Sequence, residues 1–191
     1  MKISFRQAIT ALAVAAVSTL SWLPGAIAVQ FGQKEVEQDR FVAIAVPRAF
    51  GYSLVIVEQV SDTRPCWSES GSRPVEVDPL LVNFDFTGVC GRATDSNGYS
   101  VRIAGEDLAL SHSLSVQEVN GEIFLVATSR ADVYAPPIVI GRTYGLSGGF
   151  NKIFLEPGWR FAKRTYNGQT LGHIYLANDS AQVRSAGTPF Q

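Results

Sequence analysis

Two β-like runs meet at a single Asn-Gly pair in this chain, and that arrangement narrows the fold more than any other feature. Leu114-Ser-Val-Gln-Glu-Val119 precedes Asn120-Gly121, and Glu122-Ile-Phe-Leu-Val-Ala127 follows it. A tight type I′ turn needs positive φ at both central positions, which Asn and Gly tolerate best, so the stretch predicts a β-hairpin. The pattern recurs at Asn167-Gly168, between Trp159–Tyr166 and Thr170–Leu176. A third Asn-Gly, Asn97-Gly98, precedes the alternating run Tyr99-Ser-Val-Arg-Ile103. Phe41–Val46 and Ser53–Val60 are further β-type runs, stopped by Pro47 and by Ser61-Asp62. Helical periodicity is weak: Gln33–Asp39 and Glu106–Leu110 are the two segments that suit a short helix. The expectation is a mainly β fold of nine or ten strands, an antiparallel sandwich or barrel with at most one or two short helices.

The N-terminus reads as an address rather than as fold. Lys2 and Arg6 give a positive start, and no charged residue follows from Gln7 to Gln33. Ala8–Leu23 is apolar but short and interrupted, Pro24-Gly25 breaks it, and Ala26-Ile27-Ala28 is a small-x-small site. This is the three-part pattern of a secretory signal, with cleavage expected after Ala28. One β-rich domain is expected over 29–177, with a seam near 135–137 at Ala135-Pro136-Pro137. A flexible tail is expected over 178–191. No later segment approaches a membrane span, so the protein is expected in the periplasm, at the cell surface or outside the cell.

The whole chain carries 16 Lys+Arg against 17 Asp+Glu. Without Lys2 and Arg6 the balance becomes 14 against 17, a net charge of −3. No basic stripe remains, which argues against nucleic acid and against an anionic membrane surface as partners.

Several blocks resemble one family. They are Arg64-Pro-Cys-Trp-Ser-Glu-Ser-Gly-Ser72, Val77-Asp-Pro-Leu-Leu81, Asn83-Phe-Asp-Phe-Thr-Gly88, Cys90-Gly-Arg92 and Thr94-Asp-Ser-Asn-Gly-Tyr99. Together they are similar to a family of secreted cyanobacterial proteins catalogued as a domain of unknown function. The resemblance covers roughly residues 30–130. It implies an exported location and brings no activity, ligand or catalytic residue.

Cys66 and Cys90 are the two cysteines of the chain. In an exported protein an even, small number favours a disulfide. Two buried thiols, a reactive thiol or a metal site are the alternatives, but neither cysteine has a flanking histidine or C-x-x-C spacing. Trp67 is read as a core residue covering the bridge.

Other constellations are weighed against plainer readings. Gly145-Leu-Ser-Gly-Gly149 resembles a serine-protease nucleophile loop, yet Leu146 replaces the expected aspartate, and a Gly-rich turn explains it better. Asp95 and Asn97, with Asp85 as a third oxygen ligand, form a calcium candidate, although Ser100 stands where an EF-hand loop needs Gly. The alternative there is a polar Asx-type turn. Glu69, Glu76, Asp78 and Asp85 are acidic but lack any spacing that assigns a hydrolytic pair. Trp159, Tyr166 and Tyr175 are candidates for a ligand-stacking face on the last hairpin.

No catalytic residue, metal set or cofactor is assigned. The functional expectation is a non-enzymatic binding or structural module of the periplasm or cell surface, with envelope glycan or another surface protein as partner. The alternative is a hydrolase acting on envelope polysaccharide or peptidoglycan. That alternative requires Ser68, Ser70, Asp78, Asp95, His112 and His173 to converge.

Overall fold

The computed structural model describes residues 31–185. The expected signal segment and residues 186–191 of the expected tail lie outside them. The strands run β1 (Gly32–Glu35), β2 (Phe41–Pro47), β3 (Tyr52–Gln59), β4 (Trp67–Gly71), β5 (Val75–Pro79), β6 (Cys90–Ala93) and β7 (Tyr99–Ile103). They continue as β8 (Glu106–Asp107), β9 (His112–Val119), β10 (Glu122–Ser129), β11 (Ile138–Arg142), β12 (Asn151–Leu155), β13 (Arg160–Tyr166) and β14 (Gln169–Asn178). Three short 3-10 turns are the helical elements among the described residues.

Six strands, β2, β3, β9, β10, β11 and β12, close into an antiparallel barrel. Closure removes most of the unpaired edge that an open sheet of this size would expose. The seam is β11 against β12, where Gly141 pairs with Leu155 and Arg142 with Phe154. A Cβ on Gly141 would stand 2.6 Å from the Phe154 carbonyl oxygen and 2.8 Å from Ile153 Cγ2. Glycine therefore lets the two backbones meet there.

The remaining elements dress this barrel. A curled sheet in the order β1-β13-β14-β7-β8 packs its inner face onto the barrel core. The β4–β5 hairpin hangs from β12, and β6 pairs with β3. The β14–β7 pairing is parallel, which the expectation of a purely antiparallel fold did not include. The chain reaches β7 from the barrel through the Asp95–Tyr99 turn and returns to the same sheet at β14, so these neighbours need no hairpin.

Burial explains the two kinds of strand pattern. Phe41-Val-Ala-Ile-Ala-Val46 is apolar throughout because both its faces are covered. Ala43 and Ala45 join the principal core, while Val42 and Ile44 join a second core outside the barrel with Val55, Val57, Leu81, Cys66 and Cys90. Tyr99–Ile103 alternates because Tyr99, Val101 and Ile103 face the principal core and Ser100 and Arg102 point away. Both predicted hairpins form: Asn120 and Gly121 have φ of 53° and 79°, and Asn167 and Gly168 of 48° and 77°.

Both predicted helices are corrected. Gln33–Glu35 extends along β13 as part of β1, and Gln38–Arg40 makes a single 3-10 turn. A seven-residue helix is marginal on its own, whereas an edge strand gains ladder hydrogen bonds. The Gln38 side chain donates to the Phe161 carbonyl and accepts from the Phe161 N–H, so it continues β1's pairing beyond the strand. Glu106-Asp107 is likewise a short strand. Ala135-Pro136-Pro137 lies in the loop between β10 and β11, which pair in the barrel. Asn178 ends β14 as a buried residue, and beyond it Val183, in the Ala181–Ser185 turn, packs on the principal core.

Candidate functional site

Trp67 and Trp159 are 92 positions apart in sequence and line one groove of about 530 Å³. The register of β2 against β12 explains why a groove exists there. Ala45, Ile44 and Ala43 pair with Asn151, Lys152 and Ile153, and the ladder then stops. β12 turns to β11 at Phe154 and Leu155. Val42 and Phe41 lie beyond the last β2–β12 pair, and the groove runs along that end of the ladder. The groove therefore sits where the principal core and the second core meet.

Its walls are aromatic. Phe41 and Phe161 stack with centroids 5.4 Å apart, Trp159 belongs to the same core at 7% exposure, and Phe154 and Trp67 form the half-buried sides. One polar constellation reaches it. Lys152 Nζ donates to both carboxylate oxygens of Glu69 at 2.7 Å, and Trp67 Nε1–H donates to Glu69 Oε1 at 3.0 Å. Lys152 Nζ also lies 5.3 Å from the centre of the Phe154 ring. Asp39 and Trp67 also line an adjoining charged recess of about 270 Å³, where Arg40 bridges Glu37 and Asp62. The two spaces make a path that is apolar on one side of Trp67 and ionic on the other.

Cys66 and Cys90 form a disulfide. It staples the segment that carries β4 and β5 to β6, and Trp67 packs against the core containing the bridge. Closing a loop of this length stabilises by about 3.5 kcal/mol in the chain-entropy account. The staple thus fixes the strand that presents Trp67 and Glu69.

The expected stacking face on the last hairpin is not assembled. Trp159 faces the principal core beside Phe161. Tyr175 is fully buried on the opposite face of β14, because the pleat sends Ile174 and Leu176 to the core and His173, Tyr175 and Ala177 away from it. Tyr166 alone of the three is exposed, beside Phe31.

Tyr175 instead anchors a polar network. Its hydroxyl donates to Asp107 Oδ2 at 2.8 Å and accepts from Arg164 Nε at 2.8 Å, and Arg164 Nη2 reaches Asp107 Oδ2 at 2.7 Å. Burial on its own would raise the Asp107 carboxyl. Donors from Tyr175 and Ala109 N–H, with the Arg164 charge, outweigh it and hold the group below its ordinary range. His173 Nδ1–H donates to the Asn97 carbonyl at 2.8 Å, which leaves Nε2 as an acceptor 2.8 Å from the Ser100 hydroxyl. Burial pushes the His173 imidazole down, so it is held neutral.

The remaining candidates fall elsewhere. Asp95 Oδ1 accepts from the Asn97 N–H at 2.8 Å, an Asx turn, and Asp85 does the same for Thr87 at 3.0 Å. Among the described residues no three His, Cys, Asp or Glu side chains gather as a metal set. Ser147 bonds to Asn151, which ties the Gly145–Gly149 loop to the start of β12. Ser68 stands opposite Asp78 in the β4–β5 register, and Ser70 opposite Glu76. His112 lies beside Ser111 at the start of β9, while His173 lies in the other sheet. The six residues required for a hydrolase therefore fall in two groups rather than one: Ser68, Ser70 and Asp78 share the β4–β5 hairpin, while Asp95, His112 and His173 lie around the Asp95–Ser100 turn.

Sequence reasoning singled out both tryptophans but not Phe154, Lys152 or Asp39. The signal for Lys152 and Phe154 was present in Asn151-Lys-Ile-Phe-Leu155, whose alternation sends Ile153 to the core and its neighbours outward.

A closed six-stranded barrel with a disulfide-stapled hairpin and a curled companion sheet defines an all-β protein with a groove in its wall. The chain belongs to the family described as protein of unknown function (DUF3747), whose profile matches residues 8–181. No curated protein and no solved structure matches it. Among the described residues, no helix is long and apolar enough to cross a membrane.

Proposed function

We propose that this protein is an exported, non-enzymatic binding module of the cell envelope, and that the groove between β2 and β12 holds a sugar unit of an envelope glycan. The observation that carries the reading is the meeting of Trp67 and Trp159 in one groove beside the Glu69–Lys152 pair. An aromatic wall suits the C–H face of a sugar ring, and a few fixed polar groups suit its hydroxyls. Lys152 and Glu69 supply donors and acceptors already held in place, so little side-chain ordering is spent on binding. The signal-like N-terminus and the disulfide support an oxidising, exported setting.

Co-sedimentation with insoluble peptidoglycan and with envelope polysaccharide tests this. The reading expects the protein in the pellet and its release by soluble fragments of the same polymer. Protein that stays in the supernatant with every such polymer overturns it.

A further inference from the structure

The inner side of the stapled segment encloses a second cavity, separate from the aromatic groove. It measures about 300 Å³, which lies at the lower end of the range for small-molecule sites. Its floor is the outer face of the barrel: Val46 from β2, and Val55 and Val57 from β3. Its roof is Leu81 and Val82 from the 3-10 turn Leu80–Val82, and Phe150 closes one side. A β-sheet face of this kind is normally covered completely. Here the cover is incomplete, and Val82 stands 89% exposed at its margin.

Two charged residues complete the lining. Arg92 is directly opposite Val57 in the β3–β6 register, so its guanidinium borders the apolar floor. It lies 5.9 Å from the Phe86 ring, and among the described residues it makes no ion pair. Asp78 belongs to β5, which joins the barrel on the far side of the path β3-β2-β12, away from β6. The cavity therefore has a cation at its β6 end and aliphatic side chains along the rest of its floor; Asp78 borders the far end, with its side chain on the face of β5 opposite Val77.

We propose that this cavity binds an aliphatic monocarboxylate, with its chain over Val46, Val55 and Val57 and its head group on Arg92. The fork of N–H donors on a guanidinium fits a carboxylate in two-pronged fashion. The aliphatic lining favours an alkyl chain over a sugar. The apolar remainder of the lining offers no partner for a second negative charge, which disfavours dicarboxylates. The site is independent of the glycan groove, and either stands if the other fails.

Calorimetric titration of the disulfide-intact chain with octanoate, octylamine and suberate tests this. Octanoate is expected to bind at least about tenfold more tightly than the other two, the scale of one charge-assisted contact. Arg92→Gln is expected to lose about tenfold in octanoate affinity. Val46→Trp, which fills the cavity, is expected to abolish it, while Trp67→Ala leaves it unchanged. The proposal is overturned if octanoate fails to bind, or binds no better than octylamine or suberate. It is equally overturned if Arg92→Gln, at an exposed position where folding is not at stake, binds octanoate as the parent does.

Discussion

Lys152 Nζ holds both carboxylate oxygens of Glu69 at 2.7 Å, and this pair joins the barrel wall at β12 to the stapled hairpin at β4. Both side chains remain about a quarter to a third exposed. An ion pair in that setting contributes about 1 kcal/mol or less to stability. Its greater consequence is positional, because Glu69 also accepts from the Trp67 indole. Glu69→Gln is therefore expected to leave the urea midpoint almost unchanged while weakening glycan retention. A large stability loss in that variant would contradict the assignment.

Barrel closure depends on the missing side chain at Gly141. The group a Cβ would strike is backbone, the Phe154 carbonyl, and it cannot swing aside as a long side chain would. Gly141→Ala is expected to cost about 1–3 kcal/mol, the range for overpacking a tight site. Urea denaturation checks this: the midpoint should fall. Gly148→Ala, where nothing lies within 4 Å, serves as the control.

The Cys66–Cys90 bridge predicts that the denatured, unreduced protein shows no titratable thiol. Reduction is expected to lower stability by about 3.5 kcal/mol. Two thiols by a colorimetric assay would contradict the bridge.

Acid should destabilise the fold in two stages. His173 has its folded value pushed below the ordinary 6.5 by burial, so the unfolded chain takes up a proton that the folded chain refuses. The stability from that group is complete above about pH 6.5 and is lost as pH falls toward the folded value. Asp107 is also lowered, so its contribution is complete above its ordinary 3.8 and is lost at still lower pH. His173→Gln is expected to flatten the first stage and leave the second. Urea midpoints measured from pH 7 to pH 3 separate the two.

Much of the fold was legible where local chemistry decides it. The two Asn-Gly turns require a conformation that few other residues accept, and both hairpins follow. Phe41–Val46 reads as buried because it is apolar on both faces. The short strands were less visible. Trp67-Ser-Glu-Ser-Gly71 has no apolar alternation and becomes a strand because Val75–Pro79 lies against it. The parallel β14–β7 pair is set by contacts between residues more than seventy positions apart, which no local pattern encodes. The candidate site was half legible for the same reason. Trp67 and Trp159 are conspicuous singly, but their meeting depends on where β12 leaves β2. Tyr175 is grouped in sequence with Trp159 and Tyr166 as a stacking face on the last hairpin, yet Arg164 and His173 pack around it as a network on the buried side of β14.

The central claim is that Trp67 binds a sugar in the groove that the core residue Trp159 backs. In a chain that begins at residue 29 they are the two tryptophans, since the third is Trp22. The most direct measurement is a titration of intrinsic tryptophan fluorescence in the chain 29–191 with soluble peptidoglycan fragments, repeated with Trp67→Ala. The account predicts a saturable shift or quench, and at least about tenfold weaker binding in the variant, as for a residue central to a binding surface. Emission that does not change with any fragment, or equal affinity in Trp67→Ala, would contradict it.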